Sequence, residues 1–129
     1  MNPVIHFEMP YENSERLMKF YGQAFGWQMN IMNGDMGGYV LAGTAETDEK
    51  GMVKTPGAIN GGFFEKKPEW PAGTSVVISV KDINAAMKSI NAAGGKVLGD
   101  PMEIPGVGKY VSFMDTEGNR VSILQPMGM

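Results

Sequence analysis

Three structural signals recur in this chain at one fixed separation: His6 and Ser75, Asn13 and Asp82, and Gly26 and Gly95 are each 69 residues apart. Unrelated elements would not keep a common register across a strand, a helix cap and a helix stop, so the pattern reads as an internal duplication. In the first copy, Val4 to Met9 alternates, with Ile5, Phe7 and Met9 apolar and His6 and Glu8 between them, the period of a strand with one buried face. Asn13 or Ser14 then caps a helix whose apolar stripe is Leu17, Phe20, Tyr21, Ala24 and Phe25, and Gly26 stops it. Strands follow at Trp27 to Ile31, Tyr39 to Ala42 and Ala58 to Phe64. Turn signals at Asn33-Gly34 and Gly37-Gly38, and a polar loop or distorted hairpin from Gly43 to Pro56, separate them. The second copy repeats the order. Ser75 to Val80 is a strand, Asp82 caps a helix with Ile83, Ala86, Met87 and Ile90 on its apolar face, and Gly94-Gly95 ends it. Lys96 to Leu98, Tyr110 to Met114 and Val121 to Gln125 complete it, the last two joined by a tight turn at Asp115 to Asn119. The duplication therefore predicts an α+β domain covering 1–129, built of βαβββ units at 1–66 and 73–129. Together they are expected to form a curved mixed sheet around a cavity, with the helices on its outer face.

Composition narrows the chemistry. A chain of 129 residues with 43% apolar content can fill one domain core. With no cysteine there is no disulfide, thiolate metal site or cysteine nucleophile, and with one histidine no single chain can supply two imidazoles to a metal. The net charge of -3 and the absence of a basic run longer than Lys66-Lys67 leave no electrostatic footprint for nucleic acid or anionic lipid. No signal peptide or membrane span is visible, which gives the expectation of a soluble cytoplasmic protein. The 12 methionines read as adaptable core filler, and Gly57, Gly61 and Gly62 lack the pattern of a phosphate-cradling loop.

Three segments resemble the vicinal oxygen chelate superfamily, which includes glyoxalase I, bleomycin and fosfomycin resistance proteins, extradiol dioxygenases and methylmalonyl-CoA epimerase. They are Phe20-Tyr21-Gly22-Gln23-Ala24-Phe25-Gly26-Trp27, Val80-Lys81-Asp82-Ile83 through Gly94-Gly95, and Phe113-Met114-Asp115-Thr116-Glu117-Gly118-Asn119, with Thr116 where the family usually has Pro. The resemblance implies metal-ligand positions at His6, at Asn60 or Gly61, at Ser75 and at Ser122. Neutral hydroxyls are weak donors to divalent transition metals, so a surviving metal site is not expected unless His6 is joined by Glu8. The resemblance also implies a homodimer.

Strand parity, with the apolar phase against the helices, places His6, Glu8, Asn60, Ser75, Ser79, Ser112, Arg120 and Ser122 on the cavity side. Tyr39, Phe64, Trp70 and Tyr110 are candidate aromatic walls. His6 and Glu8 are the candidate acid–base pair, although Glu8 could equally pair with Arg120, whose guanidinium otherwise suits a carboxylate or phosphate. Trp70 reads equally as a lid or a dimer contact. Asn60, Ser75, Arg120, Ser122, Tyr39 and Tyr110 are the candidate ligand-binding set. Two functions remain open: a metal-independent binder of a small polar organic ligand, or a metal-dependent lyase, isomerase or epimerase, similar to lactoylglutathione lyase, acting on a small oxygenated substrate.

Overall fold

The structure is a computed structural model that describes residues 1–32, 37–70 and 72–128; the Asn33-Gly34 turn signal lies outside the described residues. The chain divides into a first compact unit, His6–Thr74, and a second made of Ser75–Met129 with Met1–Ile5. Its elements run β1 (Val4–Tyr11), α1 (Ser14–Phe25), β2 (Gln28–Ile31), β3 (Val40–Gly43) and β4 (Asn60–Glu65), then β5 (Ser75–Ser79), α2 (Ile83–Ala92), β6 (Lys96–Ile104), β7 (Gly108–Met114) and β8 (Arg120–Pro126). This is the α+β, twice-βαβββ order read from the sequence.

In the first unit the strands lie in the order β2-β3-β4-β1, with β1 parallel to β4 and the other pairs antiparallel. The Asn13 side chain accepts from the Arg16 N–H at 3.0 Å and so satisfies one of the donors left open at the start of α1. Gly26 ends the helix at φ 71°, a left-handed conformation that glycine adopts without Cβ strain, and its N–H returns to the Gly22 carbonyl. Leu17, Met18 and Tyr21 pack with Phe7, Met9 and Tyr11 of β1 around the buried Val40, Ala42 and Phe63. The apolar stripe is narrower than the sequence suggests. Phe20 and Phe25 are 56% and 62% exposed, because one sits on the flank of the helix and the other at its last position; Phe20 stacks edge-on to Tyr21 instead.

In the second unit the order is β5-β8-β7-β6, with β5 parallel to β8 and the rest antiparallel. Asp82 caps α2 through the Ala85 N–H at 3.1 Å, and Gln125 Oε1 takes the Ile83 N–H at 2.9 Å. Ala86, Met87 and Ile90 cover a core of Val80, Ile83, Val111 and Ile123. Each such aliphatic side chain contributes about 1.5–3 kcal/mol when fully buried.

One segment departs from the sequence reading. The strand expected at Lys96 to Leu98 continues to Ile104, because the pairing with β7 shifts between Leu98 and Met102 and resumes beyond Gly99, Asp100 and Pro101. A bulge of this kind carries a strand across residues that break its alternation. The polar stretch after β3 forms a distorted hairpin, with one isolated bridge between Thr47 and Val53.

Candidate functional site

In each unit the strand face turned away from the helix carries the polar residues, and the two faces are built differently. In the first unit β1 sends Phe7 and Met9 to the helix side, so the period of two puts His6 and Glu8 on the opposite face. Gly62 stands opposite Glu8 in the β1–β4 register and opposite Leu41 in the β3–β4 register. A Cβ on Gly62 would overlap the ring and hydroxyl of Tyr39, so the missing side chain is what lets the phenol lie across β4. On the other face Gly61 gives the same room to the Phe7 ring.

Tyr39 Oη donates to Glu8 Oε2 at 2.8 Å and lies 3.3 Å from His6 Nε2. Glu8 is only 4% exposed, a setting in which a carboxylate needs donors, and the phenol supplies one. Burial holds the His6 imidazole below its ordinary pKa, since the charged form is the costlier to desolvate. Asn60, opposite His6 in register, has its amide oxygen occupied by the Thr44 N–H at 2.8 Å and the Ala45 N–H at 3.1 Å. It anchors the start of the long hairpin.

In the second unit Val77, Ser122 and Ser112 lie side by side across β5, β8 and β7. Ser122 is fully buried, with its Oγ 2.7 Å from Tyr110 Oη and 2.9 Å from Ser112 Oγ, and Arg120 Nη2 donates to Ser112 Oγ at 3.0 Å. A guanidinium, two serine hydroxyls and a phenol thus form one continuous hydrogen-bonded chain. Ser75 Oγ is buried with no hydrogen-bond partner among the described residues. Trp70 meets Phe64 edge-on at 5.3 Å and carries Lys67 Nζ over its ring at 4.4 Å.

The profile of the Glyoxalase/Bleomycin resistance protein/Dioxygenase superfamily matches residues 4–123, nearly the whole chain. The chain belongs to that superfamily. A glyoxylase-like domain-containing protein of Didymella fabae is 32% identical over 120 residues, covering 90% of this chain and 88% of that protein. A putative glyoxylase of Mycobacterium bovis is 34% identical over 76 residues, 58% of this chain and 29% of its own length, so the match spans under a third of that longer protein. Among solved structures, a methylmalonyl-CoA epimerase in complex with methylmalonyl-CoA and NH4+ superimposes with a TM-score of 0.73 at 14% identity, covering 99% of this chain and 96% of the other. The epimerase of Streptomyces coelicolor, with 2-nitronate-propionyl-CoA, gives 0.71 at 15% identity and covers 100% and 97%. At these identities the structural likeness establishes the fold.

On this superfamily scaffold the residues singled out from the sequence fall into two groups. His6, Glu8 and Tyr39 meet within the first unit; Tyr110, Ser122 and Arg120 meet within the second, with Ser112 joining them. Sequence reasoning missed Gly62, whose role depends on a ring 23 positions away, and placed Tyr39 in the ligand-binding set as an aromatic wall without its link to His6 and Glu8. A glycine pair inside an otherwise apolar strand was the available signal. Among the described residues no helix is long and apolar enough to cross a membrane.

Proposed function

We propose that this superfamily member binds a small polar organic ligand on the polar face of its sheet, without a divalent metal. The observation that carries this reading is Ser122. It occupies one of the positions where the resemblance puts a metal ligand, and its buried hydroxyl is already engaged by Tyr110 and Ser112. A neutral hydroxyl bonded on both sides is a poor donor to a divalent transition metal, and Ser75 offers no more. His6 and Glu8 are the remaining donors of suitable chemistry. Both face the same phenol, so ligating a metal through His6 Nε2 and Glu8 Oε2 requires Tyr39 to leave. The donor set therefore does not fit the metal-dependent lyase, isomerase or epimerase reading. Pairing of two chains as a homodimer belongs to the same proposal, and a sedimentation mass of 14.0 kDa, that of one chain, would remove it.

Elemental analysis of protein purified without chelator, followed by calorimetric titration with nickel, zinc, manganese and iron(II), tests the proposal. No stoichiometric metal and no binding near micromolar strength is the expected result. One metal per chain, lost in His6→Ala, would overturn it and make the metal-dependent enzyme the better reading.

A further inference from the structure

The hydrogen bonds of Tyr39 have a directional consequence. A phenol carries one proton, and in this structure that proton points at Glu8 Oε2. What Tyr39 Oη turns toward His6 is therefore a lone pair, 3.3 Å from Nε2. A lone pair can be met only by an N–H, so a neutral His6 must hold its proton on Nε2 and leave Nδ1 bare. Among the described residues the contact with Tyr39 is the hydrogen bond that His6 makes, and His6 is half-buried.

We propose that Tyr39, seated over Gly62 and anchored by Glu8, is a positioning residue that fixes the tautomer of His6, and that Nδ1 is a ligand subsite for a hydrogen-bond donor. The group it takes is an O–H or N–H of a small molecule; a bare carboxylate or carbonyl oxygen, having no proton to give, is refused. The subsite deepens the metal-free binding reading and rests on it in one respect, that Nε2 is bonded to a phenol and not to a metal. Three side chains and one glycine build it, all within the first unit. Gly62 supplies the space, Glu8 sets the direction of the phenol proton, and Tyr39 transmits that direction to the imidazole.

Because the chain has a single histidine, long-range proton–nitrogen correlation on 15N-labelled protein reads this ring without ambiguity. At a pH where His6 is neutral, the wild type is expected to show a protonated Nε2 and an unprotonated Nδ1. Tyr39→Phe removes one oxygen, and the tautomer ratio is expected to move about fivefold toward Nδ1–H, the size of one net hydrogen bond. A wild type with Nδ1–H dominant, or a ratio unchanged in Tyr39→Phe, overturns the tautomer lock. For the subsite, glycolate and acetate are matched probes that differ in one hydroxyl. Glycolate is expected to shift the Nδ1 resonance saturably and acetate to leave it in place; equal responses, or none to either, overturn the donor subsite. The tautomer is read with neither ligand nor metal present, so its failure is distinguishable from failure of the metal-free reading, which the metal titration decides.

Discussion

The two units share a chain order and a register of caps, yet they are filled with different chemistry. The first packs its helix on rings: Phe7 meets Phe63 edge-on at 6.2 Å, and Tyr21 stacks on Trp27 at 4.7 Å. The second packs its helix around Val80, Ile83, Val111 and Ile123. The polar faces differ in the same way. The first concentrates an imidazole and a carboxylate around one phenol, whereas the second strings two serines and an arginine along neighbouring strands. Periodicity, caps and glycine stops specify the βαβββ order, and they leave the identity of the packed and polar side chains open to diverge. A duplicated scaffold thus carries two distinct polar faces.

The largest test of this contrast is in the cores. Phe63 is 1% exposed and touches both Phe7 and Tyr21, so Phe63→Ala is expected to cost about 4 kcal/mol, against about 3 kcal/mol for Ile123→Ala in the aliphatic core. Urea denaturation of both variants measures the difference. Equal costs would mean that the aromatic packing adds nothing beyond burial, and the distinction between the two cores would lose its energetic content.

How much of this could be read in the sequence divides along the same line. The caps Asn13 and Asp82, the stop at Gly26 and the parity that put His6, Glu8, Ser112, Arg120 and Ser122 on polar faces are local signals, fixed by spacing within a few residues. The meeting of Tyr39 with His6 and Glu8 spans more than 30 positions, and nothing local encodes it. Asn60 illustrates the limit from the other side. Parity placed it on the polar face, but its amide oxygen serves the Thr44–Ala45 backbone, a contact set by how the long hairpin turns. The extension of β6 past Leu98 was hidden for a related reason, since Gly99 and Pro101 are strand-breaking signals unless a bulge absorbs them.

A smaller effect separates the polar faces. Gly62→Ala places a methyl group where the Tyr39 ring lies, and overpacking of this kind costs about 2 kcal/mol while moving the phenol off His6 and Glu8. Ser122→Ala in the second unit removes a hydroxyl shared by Tyr110 and Ser112, for about 1–2 kcal/mol, without forcing any ring to move. Amide chemical shifts of the two variants distinguish displacement from simple loss. A Gly62→Ala protein with wild-type shifts at residues 6, 8 and 39 would show that the glycine is not what seats the phenol.

Protonation sharpens the comparison further. His6 has a folded-state pKa below its ordinary value of 6.5, because burial disfavours the imidazolium. Below that ordinary value the unfolded chain takes up a proton that the folded chain does not. The contribution of His6 to stability is therefore complete above pH 6.5 and is lost as the pH falls from there through the lowered folded value. Urea midpoints of the wild type are expected to drop more steeply between neutral and mildly acid pH than those of His6→Gln. Parallel curves would remove His6 as a source of acid sensitivity in the first unit.

The smallest effect belongs to the turn that closes the second unit. Asp115 Oδ1 accepts the backbone N–H groups of Glu117 at 2.8 Å and Asn119 at 2.9 Å, and Oδ2 accepts from the Asn119 side chain at 2.9 Å. These bonds favour the carboxylate, those from Asn119 most, and hold its pKa below the ordinary 3.8. Here the folded chain keeps its carboxylate ionised to lower pH than the unfolded chain does. The turn's contribution is present above pH 3.8 and fades only as the pH drops through the lowered folded value. The first unit joins its corresponding strands by the distorted hairpin across Thr47 and Val53, where a different carboxylate, Asp48, takes the N–H groups of Lys50 and Met52. A pH titration of side-chain carbonyl shifts is expected to show Asp115 titrating below the ordinary aspartate value, and Asn119→Ala is expected to return it toward that value by removing the side-chain donor. If Asp115 titrates at the ordinary value in the wild type, its hydrogen bonds are too weak to order the turn, and the tightness of β7–β8 must then come from the strands themselves.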